Sequence, residues 1–390
     1  MNIGGNLLEN IKKIGIVGTN GKTTTARLIM HLLDRQGFRV KYFESSGQSA
    51  QRGGSIERFK KHVNAKGEDF QVALMELKPS DIELDFGFEL DAVIHTNFDT
   101  RHMGERFQYK QKNQLREAFH RVSKNGTIII NIDDPFHMQL LYRIENILVI
   151  PYGFSSKATM TASSIETSHS VKFTCCLQRG MTNQNDIEIE PMEFPIHVRL
   201  MGRHNIQNTL AAITLALMFG VSPENVTMAL SDFPQLERRM NTIYDNHIKI
   251  IDDSSRNPLS YEAVFDTVLG IDYENLHIVN GISDKDPAWH NSNALTISNW
   301  LGGVKCMNLI TTCCTDTIKT DQQTVKYNKD EFHRSLQQYG ISFQHYDKLC
   351  EAVEEVLAKA QKNDLILLLG ESGMVEAPKI ISQNFMKEKF

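Results

Sequence analysis

The sequence predicts an α/β protein in which a parallel-sheet domain is followed by a smaller, Rossmann-like α/β domain. Three observations predict it. Short β-branched runs alternate with helix-period segments from the start to about Gly153, the pattern of βαβ units and a parallel sheet. A glycine-rich turn, Gly18 to Thr25, stands between the first of those strands and the first helix. The alternation restarts near Pro234-Gln235 and runs toward the C-terminus, so the expected domains are 1–234 and 235–390.

Strands are expected at Ile14–Val17, Arg39–Phe43, Gln71–Glu76, Ala92–Thr96, Thr127–Asn131 and Ile147–Ile150, each an apolar run rich in β-formers. Helices should open at Lys22 and span about Gln108–Ser123, the latter stopped near Asn125-Gly126. Between about residues 159 and 200 the period shortens to two with polar breaks, which predicts an antiparallel insertion. A helix is then expected over Ile206–Phe219, ended by Gly220, and another opens at Ser222-Pro223-Glu224, where Ser is a good cap and Pro suits the first turn. In the second domain His247–Ile251, Leu276–Asn280 and Leu365–Leu369 read as strands, and Leu259–Val268 and Lys348–Ala360 as helices. There is no internal repeat, low-complexity tract or long linker.

Composition bounds the function. A 390-residue chain with 41% apolar and 23% charged residues is long enough for two or three cores and has the mix of an ordinary globular protein. With 42 basic and 47 acidic residues, the net charge of -5 provides no electrostatic footprint for nucleic acid. No apolar run approaches the ~20 residues of a membrane span, and Met1 to Gly5 lack the features of a signal peptide, so a cytoplasmic location is expected. The six cysteines contain no Cys-x-x-Cys pair, which points to reduced thiols.

The chemistry-bearing segment is Gly18-Thr19-Asn20-Gly21-Lys22-Thr23-Thr24-Thr25. Its glycines let backbone N–H groups close on phosphate oxygens, and the helix that follows adds the positive end of its dipole. Lys22 supplies a point charge and a threonine hydroxyl can ligate Mg²⁺. The full G-x-x-x-x-G-K-T pattern is not met, because Ile16 stands at the first glycine.

Written as G-T-N-G-K-T-T-T, this loop resembles that of the Mur ligase family, and further segments match the family in the same order over nearly the whole chain. The resemblance implies a P-loop ATPase domain followed by the family's C-terminal domain. It implies that Glu76, ending Val72-Ala73-Leu74-Met75-Glu76, binds catalytic Mg²⁺ with Thr23. His95 to Met103 is similar to T-N-x-x-x-D-H-x-D, with His102 on the second-metal histidine and Arg101 in place of the preceding aspartate. Lys112 falls where many members carry a carbamylated, metal-binding lysine, although Lys110 is close enough to leave that alignment open. Asn125 to Pro135 resembles G-x-x-V-x-N-x-D-D-P, and Gly202 to Ala212 resembles G-x-H-N-x-x-N-x-x-A-A, which implies that His204, Asn205 and Asn208 lie by the nucleotide. Arg238 to Asn241 resembles G-R-M-E with Arg239 on its arginine. Asp252 to Pro258 resembles D-D-Y-A-H-N-P, keeping Asp253, Asn257 and Pro258 but placing Arg256 at the histidine.

The implied activity is an ATP- and Mg²⁺-dependent ligase that activates a small-molecule or peptidyl carboxylate as an acyl phosphate and joins it to an amine or amino acid. Gly18, Thr19, Asn20, Gly21, Lys22, Thr23 and Thr24 would hold the phosphates, and closure of the C-terminal domain would bring Asp253 and Asn257 to the nucleotide. The loop begins so early that no room for a UDP-sugar-binding domain is expected ahead of it. Either the acceptor is recognised differently or a partner subunit recognises it. Arg101 and Arg256 leave open a P-loop ATPase or nucleotide-binding regulator without ligase activity.

Overall fold

The structure, a computed structural model, describes residues 10–45, 54–65, 70–98, 105–282, 289–304 and 306–387. His102, Arg101 and the rest of 99–104 lie outside the described residues. The chain divides into two compact units. The first runs to Glu166 and continues through Ser170–Arg199 and Arg203–Pro234, and the second comprises Thr167–His169, Leu200–Gly202 and the residues from Gln235 onward.

In the first unit the elements follow as β1 (Lys12–Val17), α1 (Lys22–Asp34), β2 (Val40–Phe43), α2 (Ser55–Asn64), β3 (Val72–Glu76), α3 (Pro79–Ile82), β4 (Leu90–His95), α4 (Glu105–His120), β5 (Val122–Asn131), α5 (His137–Leu140) and β6 (Leu148–Tyr152). Strands β7 (Met160–Thr167), β8 (Val171–Leu177), β9 (Met181–Thr182), β10 (Glu188–Ile189) and β11 (Met192–Val198) precede α6 (His204–Met218) and α7 (Pro223–Ser231). One nine-stranded sheet has the order β11-β8-β7-β6-β5-β4-β1-β3-β2. β1 pairs in parallel with β3 on one side and β4 on the other. The strand order therefore reverses at β1, and the crevice beyond its C-terminal end is where such sheets hold ligands. The segment after residue 159 continues this sheet, with β8 and β11 antiparallel.

Local chemistry explains the central elements. Ile14, Ile16 and Val17 of β1 and all five residues of β3 are buried, as expected of strands covered on both faces. Helix α1 buries Leu28, Ile29, Leu32 and Leu33 on one stripe, and it packs against α6, whose Leu210, Ile213 and Leu217 are fully buried. Helix α6 ends before Gly220, whose φ of 82° is the left-handed value that favours glycine.

The Asn125-Gly126 pair does not stop a helix. Helix α4 ends at His120, and both residues lie within β5, where the register against β4 slips between Leu90 and Ala92. The slip is a bulge, and Gly126 is suited to it because a Cβ there would come within 2.6 Å of Val122 Cγ1 and 2.8 Å of the Asp91 carbonyl oxygen.

The second unit contains β12 (Asn241–Asp245), β13 (Lys249–Asp253), α8 (Pro258–Val268), β14 (Leu276–Gly281), α9 (His290–Leu301), β15 (Cys306–Thr312), α10 (Gln322–Gln338), β16 (Gln344–Tyr346), α11 (Leu349–Lys359), β17 (Leu365–Leu369) and α12 (Ala377–Lys387). Its six-stranded sheet has the order β12-β13-β17-β14-β15-β16, parallel except for the edge strand β12. Two cores cover the two faces. Phe265, Ile297 and Leu336 anchor one and Val353, Val356 and Ile381 the other, so β17 reads as an unbroken apolar run, Leu-Ile-Leu-Leu-Leu. Among the described residues no helix is long and apolar enough to cross a membrane.

The bulge provides a test of the packing. Gly126→Ala should lower stability by about 1–3 kcal/mol through overpacking against backbone, measured as a lower urea midpoint. An unchanged midpoint would show that the bulge relaxes freely.

Candidate functional site

Gly18 to Thr25 lies at the C-terminal end of β1 and enters α1, at the reversal point of the sheet. Gly18 has φ 139° and Gly21 φ 85°, and a Cβ on Gly21 would overlap Asn208 Oδ1. The loop is held from β4 and the residues after it. The Thr19 amide donates to the Asn97 carbonyl at 2.8 Å, the Asn20 amide to Asn97 Oδ1 at 2.9 Å, and Thr96 Oγ1 to the Asn20 carbonyl at 2.6 Å. That support is itself anchored, since Asn131 Nδ2 donates to the Thr96 carbonyl at 2.7 Å and Tyr152 donates to the His95 carbonyl at 2.9 Å. Lys22 Nζ lies 2.6 Å from the Gly18 carbonyl and 3.3 Å from that of Thr19, curled over its own loop. Thr23 is half-buried and Thr24 is buried.

Glu76 closes β3 as a buried carboxylate beside this loop. Tyr42 donates to Oε1 in a short hydrogen bond, and Ser45 donates to Oε2 at 2.9 Å. Burial alone would raise the pKa of Glu76. The charge of Lys22 and hydrogen bonds from Thr23, Tyr42 and Ser45 outweigh it, and the net shift is downward. The group is thus an anion near neutral pH. A carboxylate and a threonine hydroxyl beside a cradle of backbone amides form an oxygen donor set that suits Mg²⁺ and a polyphosphate.

Behind the loop, Asn205 and Asn208 are buried on the first turns of α6. Asn208 Nδ2 donates to Asn205 Oδ1 at 2.9 Å, and Asn208 Oδ1 accepts from Thr25 Oγ1 at 3.4 Å. Asn205 therefore orients Asn208, which backs Gly21. His204 opens the same helix, and burial holds its imidazole down to about 4, so it is neutral at neutral pH. Asp133 accepts from the amides of Phe154 and Ser155 at 2.7 and 3.1 Å and from Gln207 at 2.8 Å, tying β5 to the turn after β6 and to α6. Lys112, on α4, donates to Gln139 Oε1 at 2.6 Å.

The second unit has its own cluster. Asp253, at the end of β13, accepts from the Met240 amide at 2.9 Å and from Ser255 Oγ at 2.6 Å. Arg239 donates to Ser254 Oγ, and Arg238 donates to the Gly370 carbonyl, both in short hydrogen bonds. Arg238 and Met240 adopt φ of 56° and 51°, left-handed values that are costly for bulky residues and concentrate where function holds them. Asn257 caps α8 through a reciprocal pair, accepting from the Ser260 amide and donating its own amide to Ser260 Oγ, each at 3.0 Å. Arg256 Nη1 lies 3.9 Å from Glu371 Oε1.

The supporting residues that sequence reasoning did not single out are Tyr42, Ser45, Thr96, Asn97, Asn131 and Arg238. Thr96, Asn97, Asn131 and Arg238 lie inside segments that resemble family motifs. Tyr42 and Ser45 carry no motif; only the pairing of β2 with β3 brings them to Glu76.

A phosphate-loop α/β protein is the class that this fold and loop define. The chain belongs to the Mur ligase family: residues 16–216 match the Mur ligase middle domain, and residues 238–372 match the Mur ligase glutamate ligase domain. It is 30% identical over 275 residues to a UDP-N-acetylmuramate--L-alanine ligase of Hyphomonas neptunium, covering 66% of this chain and 54% of that protein. It is 31% identical over 282 residues to the ligase of the same name from Vesicomyosocius okutanii, covering 68% and 54%. The chain thus spans about half the length of the curated relatives it matches. Solved structures share the fold. An Acinetobacter baumannii UDP-N-acetylmuramoylalanyl-D-glutamyl-2,6-diaminopimelate--D-alanyl-D-alanyl ligase superposes with a TM-score of 0.70 at 17% identity, over 97% of this chain and 77% of that one. A Mycobacterium tuberculosis folylpolyglutamate synthase, complexed with ADP and AMPPCP, does so with 0.68 at 13% identity, over 97% and 92%.

One pH dependence follows from the second cluster. Burial pushes Asp252 up to about 7 from an ordinary 3.8, with Arg238 opposing the shift and Asp253 adding to it. An acid with a raised folded pKa binds its proton more tightly when folded. Its contribution to stability therefore falls as pH rises from about 4 toward 7 and is constant above that. Asp252→Asn should gain stability relative to the parent across that interval and no further beyond it, as read by urea unfolding at several pH values. A difference independent of pH would mean that Arg238 keeps Asp252 ionised throughout.

Proposed function

We propose that this chain is an ATP-dependent carboxylate–amine ligase that forms an amide through an acyl phosphate and releases ADP and phosphate. The observation that carries the reading is Glu76: an ionised, buried carboxylate set between Lys22, Thr23, Tyr42 and Ser45 at the mouth of the phosphate loop. A buried anion beside an anion-binding loop makes sense as a ligand for the cation that must accompany a triphosphate.

A carboxylate is a poor acyl donor because its leaving group would be oxide. In the reaction proposed, a substrate carboxylate oxygen bonds to the γ-phosphorus as the bond to the β–γ bridging oxygen breaks, and ADP leaves. The amine nitrogen then bonds to the acyl carbon, loses a proton, and phosphate leaves with the electron pair. The loop amides and Lys22 bind and orient the phosphates, which is most of what phosphoryl transfer asks of a protein. Mg²⁺, held by Glu76 and Thr23, would neutralise charge between the two anions. His102 and Lys112 are proposed as additional metal ligands, the latter after carbamylation. Neutral His204 with Asn205 and Asn208 supports the nucleotide side, and Arg239, Asp253 and Asn257 are the proposed contribution of the second unit.

The relatives are named for joining UDP-N-acetylmuramate to L-alanine. That supports a carboxylate resembling a peptidoglycan precursor, or another peptidyl acid, and an amino acid as the amine. Such substrates would place the enzyme in the cytoplasm, with a partner subunit as one route to acceptor recognition.

Phosphate release that requires both an amino acid and a peptidyl carboxylate, with the amide product seen by mass spectrometry, is the expected result. ATP hydrolysis indifferent to both would identify an ATPase instead. Lys22→Ala and Glu76→Gln should each lower turnover by about two orders of magnitude or more, the scale of losing one group that stabilises transition-state charge. Glu76→Gln should also raise the Mg²⁺ concentration needed for half-maximal rate. Unaltered Mg²⁺ dependence would reduce Glu76 to a structural anion.

A further inference from the structure

A second group of chemistry-bearing side chains sits at the β16 edge of the six-stranded sheet, with no part in the proposed reaction. Cys313 follows β15, His345 lies in β16 and Asp347 follows it. His345 Nε2 is 3.9 Å from Cys313 Sγ and 2.9 Å from Asp347 Oδ1, and the three donor atoms all lie within 4.8 Å of one another. On a tetrahedral zinc ion, with bonds of about 2.0–2.3 Å, neighbouring donors stand about 3.3–3.6 Å apart. The observed separations bracket those values, so small side-chain shifts would bring all three onto one ion.

A polar contact behind His345 orients its ring so that Nε2 faces the group. Thr311 Oγ1 lies 3.0 Å from His345 Nδ1, 2.9 Å from His333 Nε2 and 3.3 Å from the Gln344 carbonyl. His345 Nε2 faces Asp347 Oδ1 at 2.9 Å and Cys313 Sγ at 3.9 Å, and a bound cation would replace the proton through which Nε2 donates to that carboxylate. An oriented histidine, its far nitrogen fixed by an outer hydrogen bond, is how protein metal ligands are commonly held. Lys329 Nζ, 3.3 Å from the same Asp347 oxygen, is the competing cation.

We propose that Cys313, His345 and Asp347 form a site for a divalent transition metal of the zinc type. Thiolate, imidazole and carboxylate together suit such an ion and do not suit Mg²⁺. Burial raises the Cys313 thiol to about 11, with Lys329 opposing the rise. Binding therefore forms the metal–sulfur bond as the thiol proton leaves to solvent, and no oxidant or reductant is needed. The exposed Asp347 is the way in, and solvent completes the coordination. The consequence is mechanical: β16 is a three-residue edge strand, and the metal would clip it to the end of β15 and the start of α11.

The test uses the full chain, reduced and stripped with chelator, then titrated with Co²⁺ and followed by absorption. One equivalent should produce a thiolate-to-cobalt charge-transfer band that Zn²⁺ abolishes. The band should vanish in His345→Gln and Cys313→Ser and persist in Cys350→Ser. Asp347→Asn alters an exposed side chain and keeps the test open if the buried cysteine cannot be changed without unfolding. It should weaken Co²⁺ binding about tenfold or more with an unchanged circular dichroism spectrum. Lys329→Met should tighten binding by removing the competing charge. No thiolate band in the folded parent, or a band that survives in both His345→Gln and Cys313→Ser, overturns the proposal. Co²⁺ held by oxygen ligands near Glu76 produces no such band, so this outcome is independent of the ligase reading.

Discussion

Glu76 must be buried and yet remain an anion. A carboxylate taken out of water costs several kcal/mol unless charge and hydrogen bonds replace its hydration, and here four side chains do so. Lys22 and Thr23 arrive from the turn into α1, Tyr42 from β2 and Ser45 from the residues just after it. These partners lie far apart in sequence and meet only because β1 and β2 both pair with β3 in parallel. The order of three strands and the entry of one helix are thus tied to the solvation of a single carboxylate.

The loop beside it depends on a second layer of polar groups. Asn97 and Thr96 occupy its inner face, Asn131 and Tyr152 fix the carbonyls next to them, and Asn208 stands where a side chain on Gly21 would go. Each of these groups is itself hydrogen-bonded, so the loop conformation is set before any phosphate arrives. That is the meaning of preorganisation here: donors already aimed need no reorganisation when charge develops.

In the second unit the corresponding constraint is crowding of charge. Asp252 and Asp253 end β13 side by side, and Arg238 and Arg239 compensate them from a stretch in which two bulky residues adopt left-handed backbone. Such geometry costs of the order of 1–3 kcal/mol per residue and persists only where surrounding contacts impose it. Gly370, with φ 137°, accepts from Arg238 and so brings the end of β17 into the same cluster.

The sequence by itself determined the α/β class, the parallel strands β1 to β6 of the first unit and β13, β14 and β17 of the second, the phosphate loop and the family, because these rest on periodicity and on short contiguous motifs. Helix α6 with its Gly220 stop and the cap at Ser222 were legible for the same reason. Asn125-Gly126 misled because a glycine that ends a helix and one that fills a bulge look alike in one dimension; the Asp91 carbonyl facing Gly126 decided between them. Helices α2, α9 and α10 left no signal that was read, and α10 is polar over most of its length. Only the tertiary structure decided that Tyr42 and Ser45 solvate Glu76, that Asn205 acts on the loop through Asn208, and that Cys313 meets His345 and Asp347. Those are contacts between segments distant along the chain, and pairing of strands, not local sequence, sets which side chains share a place.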